Sequence, residues 1–276
     1  MISLGQNILT SEFLQEFTRT TSNLYRLGWD ERNGGNISCL LLEEEITQYL
    51  DVKKTFRKIQ MDFNAEELAG RYFIVTGSGK YFKNIAQDPE VNLGIIRITE
   101  DGHCYEVIWG FIDGAVATSE LPTHLMNHIV RLKVDPNHRV ILHCHATHLI
   151  AMTFTHDLDE KAITKTLWKM ISECIIVFPD GVGLIPWRVP GTIKIGEETS
   201  VKMKDMQLVL WPHHGVFASG ITLDEAFGLI ETAEKAAEIY TIICQQGGIR
   251  QTITDRQLHE LAKEFKVVPR EGILQV

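Results

Sequence analysis

Three short apolar, β-prone runs constrain the fold of this chain more than any other feature: Tyr72–Val75, His138–Cys144 and Gln207–Trp211. Each is too short for a buried helix and reads as a buried strand. Cys174–Phe178 reads the same way, and Ile37–Leu42, Asn92–Ile98 and Tyr105–Trp109 are further strand candidates. Helical spacing fills the intervals, over Ser11–Leu27, Leu121–Leu132, Thr147–Thr155 and Thr192–Met203. Thr222 with Glu225 and Thr254 with Gln257 are capping-box signatures that open helices running to Gln246 and Phe265, the first stopped by Gly247-Gly248. Interleaved strands and helices make an α/β chain. Their spacing is too irregular to argue a doubly wound sheet or an eight-fold barrel from pattern. No internal repeat and no Pro-, Gly- or Ser-rich linker interrupts the chain, so residues 1–276 are expected to form a single domain. Glu43–Gly70 has no clean period and reads as a surface excursion with some helix.

Composition excludes several classes. The 276 residues, 44% of them hydrophobic, suffice for a large core. A net charge of −9 argues against nucleic acid as a partner, because such proteins present a basic face to the phosphates. No apolar run approaches the roughly 20 residues that span a bilayer, and Met1–Thr20 lacks the charged-then-apolar build of a signal peptide. The expectation is a cytoplasmic protein with no membrane partner. Five scattered cysteines, Cys39, Cys104, Cys144, Cys174 and Cys244, contain no C-x-x-C pair and read as reduced thiols.

Chemistry enters at His143-Cys144-His145. Strand alternation sends the two imidazoles to one face and Cys144 to the other, which makes a bidentate metal clip. Catalytic zinc sites commonly use three protein ligands and an open position, and His213-His214, after the strand Leu208–Trp211, can supply the third. The competing reading makes His143 and His145 core histidines satisfied by backbone carbonyls, and His148 is a rival ligand. Thr76-Gly77-Ser78-Gly79-Lys80, following a strand, offers N–H groups, a hydroxyl and an ammonium to a phosphate, or is simply a tight turn. It is not a Walker A loop, since the spacer is missing and Tyr81 stands where Ser or Thr is needed. Thr118-Ser119-Glu120 reads as a helix start or as two hydroxyl donors beside a functional carboxylate, and Glu173 carries the same ambiguity.

Asn33-Gly34-Gly35-Asn36, Thr76-Gly77-Ser78-Gly79, Thr118-Ser119-Glu120, His143-Cys144-His145-Ala146-Thr147 and His214-Gly215 occur in the order of the class II aldolase and sugar-phosphate epimerase family. The chain resembles that family along nearly its whole length, least over Glu43–Gly70 and after Pro269. The resemblance implies a three-layer α/β/α fold around a largely antiparallel sheet, with one zinc ion per subunit on His143, His145 and His214. It also implies a homotetramer with sites between subunits. Glu120 would be the acid/base, Asn36 would touch the reacting centre, and Asn33, Ser78, Gly79, Thr118 and Ser119 would bind a phosphate. Glu173 would reach a neighbouring subunit's site. His213 stands where an aromatic residue is expected, so His213 and His214 could exchange roles. Gly28–Asn36, Val177–Gly183 and Trp211–Phe217 point within the family to cleavage of L-rhamnulose 1-phosphate into dihydroxyacetone phosphate and L-lactaldehyde, through an enediolate stabilised by the metal. The alternatives are an L-fuculose-1-phosphate aldolase or a pentulose-5-phosphate 4-epimerase. An epimerase would need an extra acid/base that the sequence does not reveal. A non-catalytic assembly protein on the same scaffold is a third alternative, from a different class, and would lack bound zinc.

Overall fold

Both faces of the central sheet are covered, which is why its strands read as unbroken apolar runs rather than alternating ones. The computed structural model describes residues 6–275. Nine strands run β1 (Asn36–Leu41), β2 (Arg57–Gln60), β3 (Tyr72–Thr76), β4 (Leu93–Ile98), β5 (Cys104–Gly110), β6 (Val140–Cys144), β7 (Val182–Leu184), β8 (Leu208–Trp211) and β9 (Gly215–Gly220). They form one sheet in the order β2-β5-β4-β3-β1-β6-β9-β8-β7. Every neighbouring pair is antiparallel except β7 with β8.

One face sends Cys39, Ile74, Leu142 and Leu210 into a core shared with the helices Glu12–Leu27, Thr147–Thr155 and Leu223–Gln245. Leu40, Phe73, Ile141, Val209 and Phe217 point to the opposite face, where the helices Leu121–Val134 and Ile193–Lys202 pack. The architecture is therefore the three-layer α/β/α with a largely antiparallel sheet. Among the described residues no helix is long and apolar enough to cross a membrane, and all five cysteines are free.

Local signals act as their chemistry dictates. Gly28 ends the first helix in the left-handed region at φ 77°, where its N–H reaches the carbonyls of Leu24 and Tyr25. Thr254 and Gln257 cap reciprocally, with each backbone N–H donating to the other's side chain at 2.9 and 3.3 Å. The box at Thr222 closes only halfway. Thr222 Oγ1 accepts from Glu225 N, but the Glu225 carboxylate turns to Ile221 N at 2.6 Å.

Two segments depart from the expected pattern. Cys174–Phe178 is not a strand but part of a short helix, Glu173–Val177. Its apolar side chains have the helix Leu223–Gln245 to pack on, and Cys174 Sγ contacts the carbonyl of Thr232. The Glu43–Gly70 excursion holds a helical turn, Glu43–Ile46, and the edge strand β2, whose residues alternate between half-buried and exposed.

Candidate metal centre and active site

Alternation along β6 does place Cys144 in the core and His143 on the other face. There the His143 ring lies 4.7 Å from Trp211. His145 follows just beyond the strand end, with its backbone N–H donating to the Trp29 carbonyl at 2.9 Å. The third imidazole comes from the β8–β9 turn, where His213 adopts φ 62° and so swings His214 toward β6. The three rings form a triangle with centroids 4.9 to 5.2 Å apart. One ring nitrogen from each lies within 4.8 Å of the others. Two glycines make room. A Cβ on Gly215 would sit 2.5 Å from the Cys144 carbonyl and 2.9 Å from the His143 ring, and one on Gly34 would sit 2.7 Å from His145.

Hydrogen bonds fix how these rings present themselves. His143 Nδ1 lies 3.0 Å from the Val216 carbonyl, an obligate acceptor, so Nδ1 carries the proton and Nε2 keeps its lone pair. His145 Nδ1 lies 2.6 Å from Glu31 Oε1 in the same manner. His143 Nε2, His145 Nε2 and His214 Nδ1 are buried without any partner. Burial holds His143 well below the usual imidazole pKa and lowers His214 to about 3, so both are neutral donors. Three convergent imidazoles, each with a buried ring nitrogen that has no partner, fit a divalent ion and fit poorly as satisfied core histidines. His145 and His214 line a cleft of about 360 Å³ together with Glu31, Thr147, Ile150 and His213.

Glu120 caps the N-terminus of the helix Leu121–Val134, and its Oε2 is 3.8 Å from His143 Nε2. Desolvation raises its pKa, against the opposing pull of Asn36, His214 and His145. Asn36 sits directly opposite His143 across the β1–β6 ladder and donates Nδ2–H to Glu120 Oε2 at 2.9 Å. The Thr76–Lys80 turn is pinned beside the Thr118 segment: Gly77 bridges Ala117, Ser78 N donates to Val116 O, and Thr118 N donates to Thr76 O. Ser78, Gly79 and Ser119 are exposed there, while Thr118 is buried and its hydroxyl accepts from Glu120 N. Lys80 is committed to an ion pair with Asp113. Asn33 is exposed on the loop that crosses His145.

The remaining ambiguities resolve geometrically. His213 packs on Phe154 with centroids 4.2 Å apart and bonds Thr153, so it is His214 that joins the cluster. His148 bonds Glu234 at 2.8 Å and takes no part. Glu173 is exposed and lines a separate groove with Trp29, Ile171 and Glu234, outside its own chain's cluster. Sequence reasoning did not single out Glu31, whose contact with His145 spans 114 residues and has no local signature.

Residues 15–241 match the class II aldolase and adducin N-terminal domain model. The chain belongs to that family. Within it, this class II aldolase, a lyase, is 61% identical over 271 residues to a protein from Listeria innocua named rhamnulose-1-phosphate aldolase, covering 98% of this chain and 99% of that one. A protein of the same name from Enterococcus faecalis is 60% identical over 269 residues, covering 98% and 96%. Among solved structures, a sugar-phosphate aldolase from Thermotoga maritima superposes with a TM-score of 0.75 at 28% identity, over 86% of this chain and 97% of that one. An L-fuculose 1-phosphate aldolase shares the fold, with a TM-score of 0.61 at 20% identity over 95% and 100% of the two chains.

Proposed function

We propose that this class II aldolase cleaves L-rhamnulose 1-phosphate reversibly into dihydroxyacetone phosphate and L-lactaldehyde, with zinc on His143, His145 and His214. The observation that carries the substrate is 61% identity across essentially the whole chain to a protein named for that ester. The site chemistry is consistent with it. A zinc ion held by the three imidazoles would supply Lewis-acid charge to the ketose oxygens at C2 and C3. Glu120, 3.8 Å from His143, delivers a proton to C3 once the C3–C4 bond has broken, and removes it in the condensation direction. Asn36 holds the carboxylate for that transfer. Asn33, Ser78, Gly79, Thr118 and Ser119 bind the phosphate through neutral donors, which suits a chain of net charge −9.

The assembly belongs to the same reading. Glu173 is exposed and outside its own chain's cluster, which supports a homotetramer in which it reaches a neighbouring subunit's site and handles the aldehyde. The deciding experiment is a coupled assay for dihydroxyacetone phosphate on L-rhamnulose 1-phosphate, with L-fuculose 1-phosphate alongside. Rapid, chelator-sensitive release from the rhamnulose ester is expected, and faster release from the fuculose ester would reassign the substrate. His143→Ala should lose metal and activity together. Glu120→Ala should keep the metal and lose about 100-fold or more of the rate.

A further inference from the structure

Behind Glu120 and Asn36 lies a row of buried polar groups that the reaction does not touch. The Asn36 amide is committed: its Nδ2 faces the Glu120 carboxylate, which only accepts when ionised, so its Oδ1 faces away. That Oδ1 lies 2.5 Å from His124 Nε2, which must therefore carry the proton. His124 Nδ1 is left as an acceptor, 2.7 Å from Ser38 Oγ, so the Ser38 hydroxyl donates to it. Ser38 Oγ, its proton used, accepts from His128 Nε2 at 2.8 Å. His128 Nδ1 in turn accepts from His138 Nε2 at 3.0 Å. Five hydrogen bonds thus run head to tail, from His138 through His128, Ser38, His124 and Asn36, and end on Glu120.

The fold builds this row from two elements, with His138 added from the turn between the helix Leu121–Val134 and β6. Asn36 and Ser38 stand two residues apart on the same face of β1. His124 and His128 stand four apart on the overlying helix Leu121–Val134, so they share one face of it. His124, His128 and Ser38 have no solvent exposure. Burial lowers His124 and His138 to a pKa of about 3 and holds His128 well below the usual imidazole range, so the row carries direction without net charge.

We propose that His124, with Ser38, His128 and His138 behind it, is a positioning residue for catalysis, locking the Asn36 amide in the one orientation that presents N–H rather than C=O to Glu120. Without it the amide is free to turn over and set its oxygen against the carboxylate. The inference rests on the reading of Glu120 as the acid/base, and its test separates the two.

Two measurements on the metal-loaded enzyme decide it. Selective 15N labelling of histidine reads the tautomers in the unmutated protein, where His124 and His128 are expected as neutral Nε2–H rings. A His124 proton on Nδ1 overturns the proposal whatever the variants do. His124→Phe keeps a ring of similar shape and removes the donor. Its kcat for L-rhamnulose 1-phosphate should fall about 10- to 100-fold, as for supporting partners of metal-site groups, with KM little changed and metal content intact. His124→Gln, which returns an N–H toward Asn36, should recover most of the loss. An unchanged kcat in His124→Phe, or a loss that tracks lost metal, overturns the positioning role. Glu120→Gln serves as the control: if it remains active, the reading of Glu120 fails, and the tautomers alone then judge the row.

Discussion

Asp30 shows how a single residue can support the site at a cost. It is 2% exposed, lies beside the Asn33–Asn36 loop and accepts the Gly35 N–H at 3.2 Å. Desolvation pushes its pKa up to about 6, and the backbone N–H groups of Gly35 and Phe82 only partly offset that. An unfolded Asp titrates near 3.9, so between about pH 4 and pH 6 the folded state binds more protons than the unfolded one. Stability from this group is therefore fully present below about pH 4 and is lost as pH rises through 6. Asp30→Asn keeps an acceptor for the Gly35 N–H and removes the titration. In metal-free protein the variant's thermal midpoint should gain on the parent's as pH rises from about 4 to about 6, then hold a constant lead. A lead independent of pH would mean that burial does not hold the Asp30 pKa above its unfolded value.

At the scale of elements, the β8–β9 hairpin does the most demanding work, because it must deliver His214 while clearing His143 and His145. Gly215 is what permits this, and an alanine there would drive Cβ to 2.5 Å from the Cys144 carbonyl. That atom is backbone on a central strand and cannot yield without moving β6. Gly215→Ala should therefore reduce bound metal per chain, read by metal analysis of the purified protein, and lower stability by about 1–3 kcal/mol, the scale of overpacking a close-packed interior. Retention of a full complement of metal would show that the hairpin has slack. The same elements explain what could be read from the sequence. Strands covered on both sides, such as β3, β6 and β8, announce themselves as apolar runs, and alternation then predicts that His143 faces away from Cys144. By contrast, β9 reads Gly-Val-Phe-Ala-Ser-Gly and hides among small residues, and β7 is only three residues long. Glu173–Val177 is too short for its period to distinguish helix from strand. The row behind Asn36 was illegible for a different reason: it depends on the register that sets Asn36 opposite His143 and Ser38 opposite Ile141, and register is a property of the assembled sheet.

For the whole molecule, the histidine cluster joins segments that are distant in the chain, since His143 lies in β6 and His145 just beyond it, whereas His214 arrives from the β8–β9 turn. Around it meet the loop that carries Asn33, the start of β1, and the N-terminal end of the helix Leu121–Val134. An ion bound there would tie these segments together only in the folded state, and such a ligand stabilises by about 2.7 kcal/mol when present at 100 times its dissociation constant. The metal-free protein gives up that linkage and also keeps three buried nitrogens without partners, each worth roughly 1–3 kcal/mol. Chelation should therefore lower the thermal midpoint measurably, and restoring zinc should recover both the midpoint and the activity. His143→Ala removes one ligand and should make the midpoint nearly insensitive to chelator. His213→Ala, which alters only the contact with Phe154 and Thr153, should leave the chelator response intact. If chelation abolished activity with no change in midpoint for the parent protein, the ion would act at a site that does not bridge these segments, and the cluster would lose its assignment as the metal centre.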